Sequence, residues 1–247
     1  MDPLHQFQIQ PIVPIRIGDL DLSFTNSSMF MVIAVLLITA LLVYGMRGRA
    51  LVPGRLQSAA ELFYEFVANL VRENAGPEAR RFFPFVFSLF MFILIGNMLG
   101  MIPGAFTFTS HIIVTFALAL TVFVFVTLLG LLKHGLHFFS FFVPHGAPAV
   151  LLPLIVPIEI ISYLSRPISL SVRLFANMMA GHTMLKVFAS FTALLGGALG
   201  AGGFLVGILP LAINVALVGF ELLVAFLQAY VFTLLTCLYI RDALELH

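Results

Sequence analysis

The sequence predicts an all-α integral membrane protein. It should have about five membrane-spanning or membrane-embedded helices, one amphipathic helix at the interface, and a long, steeply tilted helical hairpin at its end. Three observations carry that prediction. Of 247 residues, 61% are hydrophobic and 9% charged, where a soluble domain carries roughly a quarter charged residues. The apolar residues gather in runs long enough to cross a hydrocarbon core of about 30 Å. The last two runs exceed that thickness and hold ionisable residues. A net charge of +1 points to no nucleic-acid partner, and a single cysteine, Cys237, excludes an internal disulfide framework.

Residues 1–27, "MDPLHQFQIQPIVPIRIGDLDLSF…", have no basic stretch followed by an apolar core, so they read as a polar, proline-broken arm and not a cleaved signal peptide. Residues 28–137 hold the first spans. Ser28 to Gly45 is the first, closed by "MRGRALVPGR" with Arg47, Arg49 and Arg55. In 57–75, Leu62, Phe63, Phe66, Val67, Leu70 and Val71 recur at helical spacing against Glu61, Glu65, Asn69 and Glu73. That pattern predicts a helix lying at the interface. Arg72, Arg80 and Arg81 precede a Phe-rich second span from about Phe83 to Met101. "IPGAFTFTS" leads to a third, about His111 to Leu132, ending at Lys133 and His134. Lys and Arg concentrate on the cytoplasmic side of membranes. Six arginines lie in the first connection, Lys133 follows the third span and Arg241 the last. The N-terminal arm is therefore expected outside, the C-terminus inside, and the crossings odd in number.

Residues 138–167 carry Pro144, Pro148, Pro153, Pro157 and Pro167. Each interior proline removes a helical hydrogen bond and clashes one turn back, so this passage is expected to be broken or re-entrant. Residues 168–247 hold two long apolar segments, to about Leu195 and from about Phe204 to Ile240, separated by "GGALGAGG". At 1.5 Å per residue the second would reach roughly 55 Å. An ordinary tilt of about 20° does not absorb that excess, and a steeply inclined antiparallel hairpin is expected.

Glu159, Arg166, Arg173, His182, Lys186 and Glu221 lie in this second half, with Asn177, Asn214 and Gln228 as neutral polar companions. Ionisable groups inside spans mark ion pathways, relays or paired structural sites. In an antiparallel hairpin, facing residues share a nearly constant sum of positions. On that criterion Arg173 matches Gln228 in depth and His182 matches Glu221. Asn214, Glu221 and Gln228 recur every seventh residue on one face, whereas Ser169, Arg173 and Asn177 form a stripe at four-residue spacing. His182, nine residues from Arg173, points to the opposite side of its helix. His182 and Glu221 can both exchange protons. Arg173 cannot, because guanidinium stays protonated. Its use is electrostatic, on a carboxylate that this chain does not obviously supply, so a partner on another subunit is expected.

"RLFANMMAGH", followed about forty residues later by "GFELLVAFLQAYVFTLLTCLYI", resembles subunit a of the F-type ATP synthase, in its mitochondrial or alphaproteobacterial arrangement. The resemblance runs over the whole chain, through "AELFYEFV" and "GNMLGMIPG", and is strongest from Pro157 onward. It implies a non-catalytic, proton-translocating stator subunit that needs no cofactor or metal, in a bacterial inner membrane more than a mitochondrial one. It implies partners in the c-subunit ring, the b-type peripheral stalk, the catalytic head and the lipid bilayer. Carried onto this sequence, it makes Arg173 the arginine facing the ring carboxylate. Asn177, His182, Glu221 and Gln228 become the outer half-channel, and Glu159 the acid near the inner one.

Blander readings stand beside these. Asn177 and Gln228 could be helix-packing contacts, and Glu159 a first-turn acid favoured by the helix dipole. Lys186 and Arg166 read as snorkelling, lipid-facing anchors. His134, His137 and His145 lack carboxylate companions and read as interfacial histidines. A secondary transporter would show an internal repeat, and none is visible. A retinal-type protein would carry a lysine in its last span, which has none. An intramembrane metalloenzyme would need more than His182 and Glu221 at one depth.

Overall fold

Each apolar run becomes a helix close to where hydropathy puts it. A computed structural model describes residues 7–17, 20–21, 23–48, 53–102, 104–143, 151–198 and 200–245. Among them are six α-helices: α1 Asn26–Met46, α2 Arg55–Asn74, α3 Phe83–Gly100, α4 Ile112–His134, α5 Leu152–Ala198 and α6 Gly200–Leu244. Five stretches are long and apolar enough to cross a membrane, those of α1, α4, α5, α6 and a stretch that joins α3 to the turn before it. The protein is an all-α membrane protein, and α2 is the amphipathic exception. α2 buries Ala60, Val67, Leu70 and Val71 and exposes Arg55, Glu65, Arg72 and Glu73.

The chain divides into two compact units. Unit 1 comprises 1–38, 92–111 and 174–229, and unit 2 comprises 39–91, 112–173 and 230–247. In unit 1 the N-terminal arm forms two short antiparallel pairs. β1 (Pro11–Val13) pairs with β4 (Phe24–Thr25), and β2 (Arg16–Ile17) with β3 (Leu20–Asp21). Pro11 is tolerated because a two-stranded ribbon leaves its nitrogen on a free edge. Asn26 ties the arm to the start of α1: its Oδ1 accepts from the Gln10 amide at 3.2 Å and its Nδ2 donates to the Gln8 carbonyl at 3.1 Å. Phe106, Phe108, Leu174, Met178, Ala225 and Ala229 are buried in this unit.

In unit 2, buried Val86, Phe90, Ala119, Val122, Phe232 and Ile240 form the apolar interior, and Phe85 stacks on Phe125 with centroids 4.2 Å apart. The proline-rich passage departs from expectation. A 3₁₀ segment occupies Gly135–Phe142, and 144–150, with Pro144, His145 and Pro148, lie outside the described residues. From Leu152 the chain is one helix that contains Pro157 and Pro167 and continues to Ala198. The break expected up to 167 therefore does not occur from Leu152 onward. Each proline removes one donor, but leaving the helix within a bilayer would strand many more backbone groups, so the helix continues. The expected glycine-rich separator is likewise mostly helical: α5 ends at Ala198 and α6 starts at Gly200.

Arg166 is corrected as well. It is not a lipid-facing anchor: its Nη1 donates to Asp242 Oδ2 at 3.0 Å, and its guanidinium lies 5.4 Å from the Tyr163 ring and 5.0 Å from the Tyr239 ring. His134 donates from Nε2 to the Ala243 carbonyl at 3.2 Å, the role of a structural histidine.

Candidate functional site: a buried histidine–glutamate pair

Two ionisable side chains are buried together in unit 1. His182, on α5, is 7% exposed and Glu221, on α6, is 4% exposed. Glu221 Oε1 accepts a hydrogen bond from His182 Nδ1. An ionised carboxylate or a charged imidazole alone in this setting would be costly; paired, each satisfies the other. The helices can come this close because residue 181 is glycine. A Cβ there would lie 2.8 Å from Glu221 Oε1 and 3.0 Å from its Cδ, closer than real contacts allow.

The other imidazole nitrogen is held by a residue that sequence reasoning missed. His182 Nε2 lies 2.7 Å from Thr107 Oγ1, which also reaches the Gly100 carbonyl at 3.4 Å. Thr107 is 4% exposed and sits 75 positions from His182 in the chain. A signal existed. "FTFTSH" places Thr107, Thr109 and Ser110 in a short turn between apolar spans, and all three are buried, which a turn open to water would not require.

The hydroxyl is suited to a partner that changes protonation state. When Nδ1–H faces Glu221 and Nε2 is bare, Thr107 donates to it. When Nε2 carries a proton, Thr107 Oγ1 accepts a hydrogen bond from it and turns its own hydrogen toward the Gly100 carbonyl. Both states of His182 are thereby satisfied with one hydroxyl rotation. Glu221 Oε2 is buried and has no hydrogen-bond partner among the described residues, so a position for a further proton donor is left open beside it. One turn along α6, Asn97 Nδ2 donates to the Ala225 carbonyl at 3.1 Å. The Phe7 ring lies parallel to His182, with centroids 6.5 Å apart.

The remaining predicted residues are less enclosed. Asn177 and Gln228 are half-buried, in unit 1. Asn214, also half-buried, has a buried Oδ1 without a partner among the described residues. Glu159 and Arg173 belong to unit 2. Glu159 is half-buried and lies eight residues into α5, past its first turn, which removes the dipole-acid explanation. Arg173 is exposed and makes no hydrogen bond or ion pair among the described residues. No cluster of three or more metal-ligating side chains occurs among the described residues.

In unit 1, α5 and α6 both present small side chains outward. On α5, Ala176, Ala180 and Thr183, with Phe175, Met179, Met184 and Val187, line an open apolar groove of about 530 Å³. On α6, Ala212, Ala216 and Gly219 are exposed, and nothing lies within 4 Å of where a Cβ on Gly219 would stand.

A family model described as "ATP synthase A chain" matches residues 28–241. The chain is 61% identical over 247 residues to "ATP synthase subunit a" of Parvibaculum lavamentivorans, covering 99% of this chain and 94% of the relative. It is 62% identical over 244 residues to the protein of the same name from Chelativorans sp., covering 99% and 98%. With that of Agrobacterium fabrum the identity is 59% over 246 residues, covering 99% and 98%.

Proposed function

The chain belongs to the ATP synthase A chain family, and on that premise we propose that it is the proton-translocating stator subunit of the synthase's membrane sector. It is a multi-pass inner-membrane protein and one part of a rotary complex. In this reading the whole chain, 1–247, works as one membrane domain, and it catalyses no bond-making step itself. The expected sidedness, N-terminus outside and C-terminus cytoplasmic, follows from the arginine bias alone.

The buried His182–Glu221 pair carries the proposal. A proton arriving from the outer side enters along Glu221 and His182, in a path lined by Asn177 and Gln228, and neutralises a carboxylate on the c-subunit ring. The neutral acid can then turn through lipid, where an unpaired charge would cost at least about 3 kcal/mol. After nearly a full turn it meets the inner half-channel, with Glu159 beside it, and releases its proton. Arg173 favours the ionised carboxylate at the point between the two paths. It also blocks a direct leak, because it cannot hand on a proton. Thr107 acts through His182: it keeps the imidazole turned toward Glu221 in both protonation states.

Three features support the ring as partner. Arg173 pairs with no carboxylate among the described residues, α5 and α6 expose small apolar residues, and a buried proton relay needs an acceptor to deliver to. The b-type stalk and the catalytic head complete the expected assembly. Arg173→Ala tests the proposal in membrane vesicles. Proton-driven ATP synthesis should be abolished while ATP hydrolysis by the detached head stays intact. Full coupling in that variant would refute the assignment.

A further inference from the structure

α2 and the turn that follows it build a basic cavity in unit 2 that proton transfer does not use. Gly76 ends α2 at φ +80°, a left-handed conformation that glycine adopts without steric cost. Pro77 then opens the 3₁₀ turn Pro77–Phe82. The reversal brings Arg80 and Arg81 to the same cavity as Arg72, which projects from the last turn of α2. With Tyr64, Asn69 and Phe83 among its walls, the cavity has a volume of about 600 Å³. Tyr64 meets Phe83 edge-on, with centroids 4.8 Å apart, so the cavity combines an aromatic wall with three guanidiniums.

None of the three guanidiniums makes an ion pair among the described residues. Arg72 donates to the neutral Asn69 Oδ1 at 3.1 Å, and Arg81 lies 4.7 Å from the Phe82 centroid. The nearby acids are engaged elsewhere. Glu78 feels Arg81 through space, but its carboxylate is bonded to Lys133. Glu245, 4.0 Å from where a Cβ at Gly76 would stand, pairs with Arg241 at 3.2 Å. Glu73 is exposed on α2 and does not line the cavity.

We propose that this cavity holds the headgroup of an anionic phospholipid. Guanidinium forks match phosphate oxygens bidentately, and α2 is amphipathic enough to lie at the membrane surface where such headgroups are found. The Tyr64–Phe83 wall gives the glycerol and upper acyl carbons an apolar surface. A free phosphate has no use for that wall, and an acidic protein segment would engage the guanidiniums alone.

The test uses the intact complex extracted in mild detergent, stripped of lipid, and offered equal phosphatidylglycerol and phosphatidylcholine. Retained lipid is counted by mass spectrometry. Phosphatidylglycerol should be retained in preference, and each of Arg72→Gln, Arg80→Gln and Arg81→Gln should weaken its retention about fivefold. Arg55→Gln, an exposed change outside the cavity, should leave retention unaltered, and millimolar inorganic phosphate should not displace the lipid. Equal retention of both lipids, or indifference to the three substitutions, overturns the proposal. So does displacement by inorganic phosphate, or loss of a neighbouring subunit from the variants with lipid binding unchanged. All three arginines are exposed, so the single variants are expected to fold.

Discussion

Glu221 is positioned by what surrounds it more than by its own helix. His182 holds one oxygen and Gly181 makes the approach possible, so small changes at either should be felt in proton flow. Gly181→Ala places a methyl against the carboxylate and should lower proton-driven ATP synthesis by about tenfold to a hundredfold, with assembly into the complex retained. Thr107 gives a sharper contrast. Thr107→Val keeps the volume and removes the hydroxyl, leaving a buried imidazole nitrogen unpaired, a loss of about 1–3 kcal/mol. Thr107→Ser keeps the hydroxyl. Proton flux in vesicles should fall in the valine variant and be nearly restored in serine; equal loss in both would reduce Thr107 to a packing residue. Exchanging His182 and Glu221 for one another should preserve more activity than either alanine change, and a double exchange no better than the singles would separate the two roles. The pair itself is readable in the sequence, because helical phase and hairpin depth are both arithmetic on position. Thr107 is not, because a turn 75 positions away enters no such arithmetic.

At the scale of the element, α5 shows how weakly proline governs a helix in lipid. Pro157 and Pro167 sit inside it, and the expected interruption is absent there because backbone groups freed within a bilayer find no water. What α5 gains from packing is visible at Arg166. Its guanidinium lies near two tyrosine rings and bonds to Asp242, which links α5 to the end of α6 within unit 2. A double-mutant cycle with Arg166→Gln and Asp242→Asn should return a coupling of about 1 kcal/mol in thermal unfolding, modest because both side chains are partly exposed. A snorkelling arginine would return none. Arg166→Lys should recover little of it, since an ammonium lacks the planar face that rings prefer. Sequence alone marked Arg166 as an anchor, because nothing local distinguishes an arginine that reaches water from one that reaches a neighbouring helix.

At the scale of the whole molecule, sidedness and the ring-facing surface are both open to measurement. In a Cys237→Ser background, Ile9→Cys should react with a membrane-impermeant thiol reagent from outside intact cells, and Gly48→Cys only in inverted vesicles; the reverse pattern would invert the topology. Gly219 faces open space in the chain by itself, so Gly219→Leu should fold and insert normally. If this face meets the ring, the same variant should lose ATP synthesis sharply while the subunit remains in the membrane. Normal coupling would remove this part of α6 from the rotor contact.

The sequence by itself determined the solvent, the helices and the amphipathic α2. Each of these follows from the length and period of apolar runs, and such quantities are local. Only the tertiary structure decided which polar groups meet: Thr107 with His182, Arg166 with Asp242, and three arginines around one cavity. Those meetings depend on how separate segments pack, and in an apolar chain a few buried contacts, each costly to leave unmade, settle that packing.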